Sequence, residues 1–279
     1  MNMDVTDLLV ETQQTRGRGM VKSLSGNNSD GSVRAVDRIV DLLSVLERSE
    51  LPIGLTEVSR ASGIHKATVQ RLLTALERRG LVHKERGLYQ LGTAVVSLAR
   101  AFLSGNSLTK NALPVLEELV AATGETASIY VRQDMERVII QRVESPSPLR
   151  FVVRIGERLP IYSGSTGQIF CAAMPAEELA KLLDQLGDLR MANGKVMNRE
   201  NMLARLDQVK RQGFAVNVDE RIVGISSVAA PIMRPDAGVI AAVVVTGPSS
   251  RIAADRIPLL ADQVRHAARE ITERYCRGL

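Results

Sequence analysis

Residues 32–92 carry a succession of helix, break, helix, glycine and helix that restricts the fold more than any other feature of the chain. Apolar residues in three segments recur three and four positions apart, which is the spacing of one face of an α-helix. The first helix is predicted from Ala35 to Leu46, and the second begins near Thr56, a residue type suited to the N-cap. Gly63 then tolerates the left-handed backbone that a steep turn between helices requires.

The third helix, predicted from His65 to Arg79, is apolar on one face only. Two short strands are predicted after it, at Leu81–Lys84 and Leu88–Leu91, joined by Glu85-Arg86-Gly87. Helix, helix, tight turn, helix and hairpin in this order are typical of a winged helix-turn-helix, which binds DNA.

The third helix supplies the polar side chains that a recognition helix needs near its N-terminus, because that end enters the major groove. Gln pairs with adenine and Arg or Lys with guanine, whereas Thr contacts a thymine methyl or a phosphate. Cations on the first helix and on the hairpin are placed to meet phosphates. A polar helix face alone would suit solvent equally well, so the order of the elements carries the interpretation. The predicted DNA-binding residues are Arg34, Thr56, Lys66, Thr68, Gln70, Arg71, Lys84 and Arg86.

The composition restricts the possible binding partners of the protein but does not identify one. A formal net charge of +5 suits a polyanionic partner, although so small an excess is equally consistent with simple solubility. Aromatic residues make up only 3% of the chain, which disfavours stacking platforms for single-stranded nucleic acid. Cys171 and Cys276 lie far apart and three His residues complete the set, so no metal or other cofactor is expected.

Residues 1–31 are rich in Gly, Ser, Asn and Thr, and we expect a disordered tail because such a segment buries too little apolar surface to fold. The N-terminus lacks the order of charged and apolar residues found in a signal peptide. The longest apolar stretch, Val239–Val245, has the length of a strand rather than a membrane span. We therefore expect a cytoplasmic protein that does not contact a membrane.

The second half of the chain alternates strand-like and helical patterns, which predicts an α+β domain with a mainly antiparallel sheet. A linker helix is predicted at 93–106, after the winged helix-turn-helix at 32–92, and the second domain covers 107–279. The predicted strands are 126–132, 137–143, 149–153, 214–218, 227–231 and 239–246. The predicted helices after the linker begin near Ala112 and cover 177–186, 199–212 and 254–275.

Motifs in both halves resemble those of the IclR family of bacterial regulators, and the resemblance extends over nearly the whole chain after the tail. In the N-terminal half they are Ser32-Val33-Arg34-Ala35-Val36, Leu55-Thr56-Glu57-Val58, Lys66-Ala67-Thr68-Val69-Gln70-Arg71-Leu72-Leu73 and Leu88-Tyr89-Gln90-Leu91-Gly92. In the C-terminal half they are Thr123-Gly124-Glu125-Thr126, Gly156-Glu157-Arg158-Leu159-Pro160, Gly213-Phe214-Ala215, Asp219-Glu220 with Gly224, Ala229-Ala230-Pro231 and Gly247-Pro248.

The resemblance implies a C-terminal GAF-like α/β domain that binds a small-molecule effector, and a homodimer or homotetramer that binds a double-stranded DNA operator. The small-residue loop Ser163–Gln168 opens a helix, where exposed backbone N–H groups suit an anion such as a carboxylate, although an ordinary capped helix start fits these residues equally. When the family pattern is carried over position by position, the resemblance implies that the effector-binding residues are Gly164, Ser165, Asn217, Ser227, Val244 and Thr246.

Three departures from the family pattern bear on the effector. Family members often carry Ala, Ser and Lys where this chain has Ser165, Thr166 and Gln168, commonly Asp at Asn217, and commonly Cys at Ser227. The expected pocket is therefore more neutral and rich in hydroxyl groups, with Val244 as its one apolar wall. The resemblance implies a small carboxylate or aromatic metabolite, and the sequence leaves its identity open.

Two other functions are alternatives to an effector-responsive regulator. An enzyme needs a nucleophile, a base and a group that orients the base, and no such set is evident, since His266 lies within the closing helix and Ser165 has no partner in sequence. A DNA-binding protein that works without any effector is the other alternative. Binding of a ligand would distinguish an effector-responsive regulator from it.

Overall fold

Residues 31–49 and 51–277 are described by a computed structural model of the chain. The chain divides between Val95 and Val96 into two units, which are described separately. The predicted disordered tail lies outside the described residues, apart from Gly31, where the first helix begins.

In the part of the N-terminal unit that the structure describes, three helices pack on a small antiparallel sheet with the strand order β1-β3-β2. Its helices are α1 (Gly31–Arg48), α2 (Leu55–Ser62) and α3 (Lys66–Arg78). Its strands are β1 (Ile53–Gly54), β2 (Val82–Glu85) and β3 (Leu88–Leu91). The apolar faces predicted from the helical spacing meet in one core, whose buried members are Leu42, Leu46, Val58, Val69, Leu73, Leu76, Val82 and Tyr89.

Two local details of this unit differ from the sequence-based expectation. Gly54, not Thr56, is the N-cap of α2, because Gly54 still pairs with Leu88 in the sheet and the helix begins at the next residue. The turn of the hairpin contains two residues instead of three, because Glu85 pairs with Leu88. Arg86 and Gly87 both adopt positive φ, at 50° and 82°, which is the conformation of the two-residue turns that match strand twist.

Helix α4 (Ala94–Gly105) follows the hairpin and crosses the division between the units. The C-terminal unit is built on a six-stranded sheet with the order β6-β5-β4-β11-β10-β9, in which every pairing is antiparallel. Its strands are β4 (Thr126–Gln133), β5 (Glu136–Val143), β6 (Arg158–Pro160), β9 (Ala215–Val218), β10 (Ile225–Arg234) and β11 (Gly238–Pro248), with β7 (Leu189–Arg190) and β8 (Val196–Met197) in a separate ladder. Its helices are α5 (Ser107–Thr123), α6 (Gly164–Ala172), α7 (Ala176–Leu186), α8 (Arg199–Gln212) and α9 (Ile257–Arg277).

The large sheet is covered by helices on both faces. Ile129, Val228 and Val243 belong to the core formed with α5 and α9. Their neighbours Tyr130, Ala229, Ala242 and Val244 belong to the core formed with α6, α7 and α8, because successive side chains of a strand point to opposite faces.

The predicted strand at residues 149–153 is absent, and this prediction was wrong. The edge position beside β5 is taken by β6, in which Leu159 pairs with Arg137. The carbonyl groups of the 149–153 segment meet side chains instead of a ladder: Arg251 Nη2 donates to Leu149 O at 2.9 Å, and Thr126 Oγ1 donates to Phe151 O at 3.4 Å.

A buried ion pair ties the start of β4 to the loop after β11. Glu125 is 1% exposed, and its carboxylate accepts two hydrogen bonds from Arg251, at 2.6 Å from Nε and 2.7 Å from Nη2. Gly247 packs so closely on this carboxylate that a Cβ there would lie 2.2 Å from Glu125 Oε2. Only glycine therefore leaves room for the pair.

Replacement of Arg251 by Ala should lower the free energy of unfolding by about 3 kcal/mol, because it leaves a buried carboxylate without its main partner. Arg256, whose Nη1 lies 3.7 Å from Glu125 Oε1, keeps the loss from being larger. Urea denaturation followed by circular dichroism measures the change. The control is Arg199→Ala, which breaks an exposed pair with Asp184 and should cost less than about 0.5 kcal/mol. Equal losses for the two variants would contradict the role given to Glu125.

Candidate functional site

The outer face of α3 presents the polar residues of the predicted recognition helix. Lys66, Gln70 and Arg71 are exposed, whereas Val69 and Leu73 on the opposite face are fully buried. Thr68 is half-buried. The helix therefore offers one ammonium, one amide and one guanidinium group in its first two turns, and these groups suit contacts with base edges.

Thr56 and Lys66 meet at the turn between α2 and α3, where Lys66 Nζ donates to Thr56 Oγ1 at 2.8 Å. Thr56 is exposed, as are Arg34 on α1 and the hairpin cations Lys84 and Arg86. Lys84 Nζ also lies 5.3 Å from the centre of the Tyr89 ring. The eight predicted DNA-binding residues are thus on the surface of one unit, with Thr68 the least accessible.

The cations of the N-terminal unit lack carboxylate partners among the residues that the structure describes. All ion pairs between described residues lie in the C-terminal unit, from Arg132–Glu178 to Arg274–Glu270. Unpaired exposed cations are free to neutralise phosphates, and such contacts position a protein on DNA without reading sequence.

The C-terminal unit contains a cavity between the sheet face that carries α6 and the loops around it. Its empty volume is about 390 Å³, including the solvent at its mouth. The six predicted effector-binding residues all line it. The full lining is Tyr130, Arg137, Phe151, Gly164, Ser165, Thr166, Asn217, Arg221, Ile222, Ile225, Ser227, Val244 and Thr246.

Three polar lining residues form one row across neighbouring strands. Ser227 on β10 pairs with Asn217 on β9 and with Thr246 on β11. Val244 lies two positions before Thr246 and therefore on the same face. The antiparallel register thus brings together residues that are up to 29 positions apart in sequence, from Asn217 to Thr246.

The start of α6 faces this row. Ser165 Oγ and Ser227 Oγ are hydrogen-bonded at 2.7 Å, and both residues are buried. Ser163 is the N-cap, but its side chain makes no capping hydrogen bond, so the first backbone N–H groups of α6 keep no intrahelical or capping partner. These N–H groups and the helix dipole favour an anion at this end of the cavity.

Asn217 is held by a chain of polar contacts behind the cavity. Its Nδ2 donates to Glu220 Oε2 at 2.9 Å, and Arg205 Nη1 donates to both oxygens of the same carboxylate, at 2.7 and 2.8 Å. Glu220 is therefore neutralised by Arg205. The arrangement orients the amide of Asn217, which is 4% exposed.

Seven lining residues were not predicted, and they change the chemistry of the pocket. Tyr130, Phe151, Ile222 and Ile225 add apolar surface beyond Val244, and Thr166 adds a hydroxyl group. The other two, Arg137 and Arg221, bring positive charge. The expectation of a neutral pocket with one apolar wall was therefore wrong, because it rested on the family motifs alone and these two arginines lie outside the positions carried over. The one signal in the sequence is that Arg137 lies two positions before the apolar Ile139 in the predicted strand 137–143, so both side chains share a face of that strand.

Arg137 is 2% exposed and lies against α6. Its Nη1 donates to Pro160 O at 2.6 Å and to Ser163 O, and its guanidinium carbon is 5.5 Å from the centre of the Tyr130 ring. Burial lowers the pKa of Arg137 to about 10, so the guanidinium remains charged at neutral pH. Burial raises the pKa of Tyr130, whose phenol therefore stays protonated there.

Cys171 on α6 is a buried thiol whose Sγ donates to Ile161 O at 3.6 Å. Burial raises its pKa to about 12, so it is a poor nucleophile at neutral pH. Within 31–49 and 51–277, no group of three or more His, Cys, Asp or Glu residues is placed to hold a metal ion. The helices of the same residues include none that is long and apolar enough to cross a membrane.

Comparison with known proteins identifies both units. Residues 35–86 match the family model described as the IclR helix-turn-helix domain, and residues 100–273 match the one described as the C-terminal domain of bacterial transcriptional regulators of the IclR type. The chain is 28% identical over 262 residues to the transcriptional repressor IclR of Escherichia coli K12, a match that covers 92% of this chain and 96% of that protein. It is 27% identical to the transcriptional repressor AllR of the same strain, over 86% of this chain and 89% of that protein.

Solved structures agree with these matches. An IclR-type regulator from Alicyclobacillus acidocaldarius superposes with a TM-score of 0.80 at 25% identity, over 87% of this chain and 98% of that one. An IclR homologue from Microbacterium hydrocarbonoxydans, crystallised with 4-hydroxybenzoate, has a TM-score of 0.75 at 21% identity, over 87% of this chain and 99% of that one. The second shows the fold alone. The matched families and relatives are transcriptional regulators and not enzymes.

Proposed function

Because the chain belongs to the IclR family of bacterial transcriptional regulators, we propose that it represses transcription from a DNA operator and that a small molecule bound in its C-terminal cavity controls that binding. Residues 32–92 are the DNA-binding domain, 93–106 the linker helix and 107–279 the effector-binding and oligomerisation domain. The observation that carries the proposal is the convergence of the six motif-derived residues on one cavity.

The DNA contacts divide into two classes. Gln70 and Arg71 on the exposed face of α3 read base edges in the major groove. Arg34, Lys84 and Arg86, which have no carboxylate partners among the described residues, contact phosphates. Thr56, Lys66 and Thr68 support the start of the recognition helix, where Lys66 is already hydrogen-bonded to Thr56.

The effector is a small carboxylate or aromatic compound. The open N-terminus of α6 suits a carboxylate, and the rings of Tyr130 and Phe151 suit an apolar or aromatic body. A structural neighbour holds 4-hydroxybenzoate, which combines both features and makes this compound a reasonable first probe.

The active protein is a homo-oligomer, a dimer or a tetramer. Helix α4 is rich in apolar residues, yet none of its residues is buried: Val96 is 69% exposed, Leu98 61% and Phe102 47%. A second copy of the chain would cover these side chains, and paired recognition helices would match a palindromic operator.

Replacement of Gln70 and Arg71 together by Ala should abolish the preference for operator DNA while leaving weak general binding, because base contacts carry the specificity. Replacement of Lys84 or Arg86 by Ala should weaken binding to all fragments and reduce the slope of log K against log salt by about one each. Electrophoretic mobility shifts with fragments from around the gene of the protein, against random DNA at two salt concentrations, measure both effects. Lys181→Ala, which breaks an exposed pair with Glu177, is the matched control. Undiminished operator preference in the double variant would contradict the assignment of α3.

Saturation with a ligand of the cavity should raise the thermal stability of the protein, by about 2.7 kcal/mol at one hundred times the dissociation constant. Differential scanning fluorimetry with 4-hydroxybenzoate and related compounds measures the shift. Thr246→Val removes one cavity hydroxyl at constant shape and should reduce the shift. Thr272→Val on α9, outside the cavity, should leave the shift intact. An equal shift in both variants would place the ligand elsewhere.

Replacement of Leu98 and Phe102 by Glu should convert the oligomer to monomers, because the charged side chains cannot be buried at an interface between copies. Light scattering after size-exclusion chromatography measures the mass. Glu substitution of Val196, a residue of β8 that is 50% exposed, serves as the control and should leave the oligomer intact. A wild-type protein that is monomeric at micromolar concentration would refute the proposal for α4.

A further inference from the structure

The charge of the cavity lining is not balanced. Arg137 and Arg221 are the ionised residues among the thirteen that line it, and no Asp or Glu is present in that set. The nearby Glu220 is already paired with Arg205. Glu157 influences the pKa of Arg137, but its Oε2 accepts a hydrogen bond from Arg154 N at 3.1 Å and it forms no ion pair with Arg137. Two guanidinium groups therefore share a cavity without a counter-ion.

Arg137 differs from the other shielded arginines of the C-terminal unit. Arg142 pairs with Glu144, and Arg205 pairs with Glu220. The polar contacts of Arg137 are the carbonyl oxygens of Pro160 and Ser163 and, at 3.4 Å, the hydroxyl of Ser163. Its guanidinium also lies over the ring of Tyr130, and its Nε is buried without a hydrogen-bond partner among the described residues. A buried charge of this kind destabilises the protein unless an opposite charge is brought to it.

The guanidinium of Arg137 lies directly beside the first turn of α6. A Cβ added at Gly164 would be 3.2 Å from its Nη2, and one added at Gly167 would be 3.1 Å from its Nη1. The positive charge therefore coincides with the open backbone N–H groups of the helix start, and both favour an anion at the same end of the cavity.

Arg221 brings the second charge from the loop between β9 and β10. Its guanidinium carbon is 5.5 Å from the centre of the Phe151 ring, and no carboxylate lies within ion-pair distance among the described residues. The loop is anchored by Glu220, which pairs with Arg205, and by a hydrogen bond across Arg221, in which Gly224 N donates to Asp219 Oδ1 at 2.8 Å. Burial lowers the pKa of Arg137, and the positive charge of Arg221 lowers it further.

We propose that Arg137 and Arg221 form an anion-binding subsite at the start of α6, so that the effector must carry a negatively charged group and Arg137 determines this specificity. The inference rests on the proposed effector function of the same cavity. An aromatic compound without an anionic group is then a poor effector, because it leaves both guanidinium groups uncompensated. Tyr130 and Phe151 hold the rest of the molecule.

Matched pairs of compounds that differ only in charge test the subsite: 4-hydroxybenzoate and 4-hydroxybenzamide, benzoate and benzamide, and acetate and acetamide. Each is titrated to millimolar concentration into the full-length protein at constant ionic strength, with differential scanning fluorimetry as the readout. At least one carboxylate should raise the melting temperature, and its amide should bind about tenfold more weakly or worse, because hydrogen bonds to charged groups are the stronger ones.

Variants of the two arginines test whether these residues cause the preference for a carboxylate over its amide. Arg137→Met and Arg221→Met should each abolish the difference between a carboxylate and its amide, and Arg137→Lys should retain part of it because the charge remains. Arg158→Met, which breaks a pair with Glu136 on the neighbouring strands outside the cavity, should preserve the difference. If Arg137→Met does not fold, the Arg221→Met variant still tests the proposal, because Arg221 is half-buried and lies on a loop.

Three results would overturn the subsite. The first is that no carboxylate binds better than its amide, and the second is a preference for carboxylates that survives in both arginine variants. The third is the absence of binding by every carboxylate at millimolar concentration. Binding of an amide would leave the proposed effector function intact, and operator binding, measured separately, tests the regulator itself.

Discussion

The two-residue alternation of side chains along β4, β9, β10 and β11 is the constraint on which the C-terminal unit depends. It sends Val228 and Val243 into the core with α5 and α9, and it sends Ser227 and Val244 to the opposite face. A slip of one residue in any of these strands would exchange the two sets. The same register that builds the core therefore also assembles the cavity.

The cavity depends equally on a close approach between α6 and the segment before it. A Cβ at Gly167 would lie 2.4 Å from Ile161 O, so only glycine allows α6 to start where it does. Arg137 donates to carbonyl groups of the same segment, at Pro160 and Ser163. The buried side chain of Arg137 thus both positions the start of α6 and places a positive charge beside it.

The sequence was sufficient for features that depend on local pattern. The helical spacing from Ala35 to Leu76 predicted the winged helix-turn-helix, and the resemblance of motifs named six residues that line the cavity. Predictions from local pattern failed where pairing in the sheet decided the structure. Gly54, which pairs in the sheet, is the N-cap of α2 instead of Thr56, and the predicted strand at residues 149–153 does not form, while β6 pairs with β5.

The remaining features could not be predicted because they depend on contacts between distant segments. Arg137 and Arg221 are 84 positions apart, and neither belongs to a motif that marks a binding site. An arginine in a strand is most often at the surface, and only the register of β5 and the position of α6 show that Arg137 is buried. The electrostatic character of the pocket therefore followed from the tertiary structure, not from the composition of its motifs.

In the proposed regulator, occupancy of the cavity changes the affinity of the protein for its operator. The most direct measurement is the dissociation constant for operator DNA, by fluorescence anisotropy at fixed salt, with and without a saturating ligand identified by its thermal shift. We expect a change of roughly 5- to 150-fold, the range for allosteric coupling of 1–3 kcal/mol, and the same factor in ligand affinity when DNA is bound. An operator affinity that stays the same when the cavity is saturated would contradict this proposal. A ligand that binds two states equally well does not change the equilibrium between them.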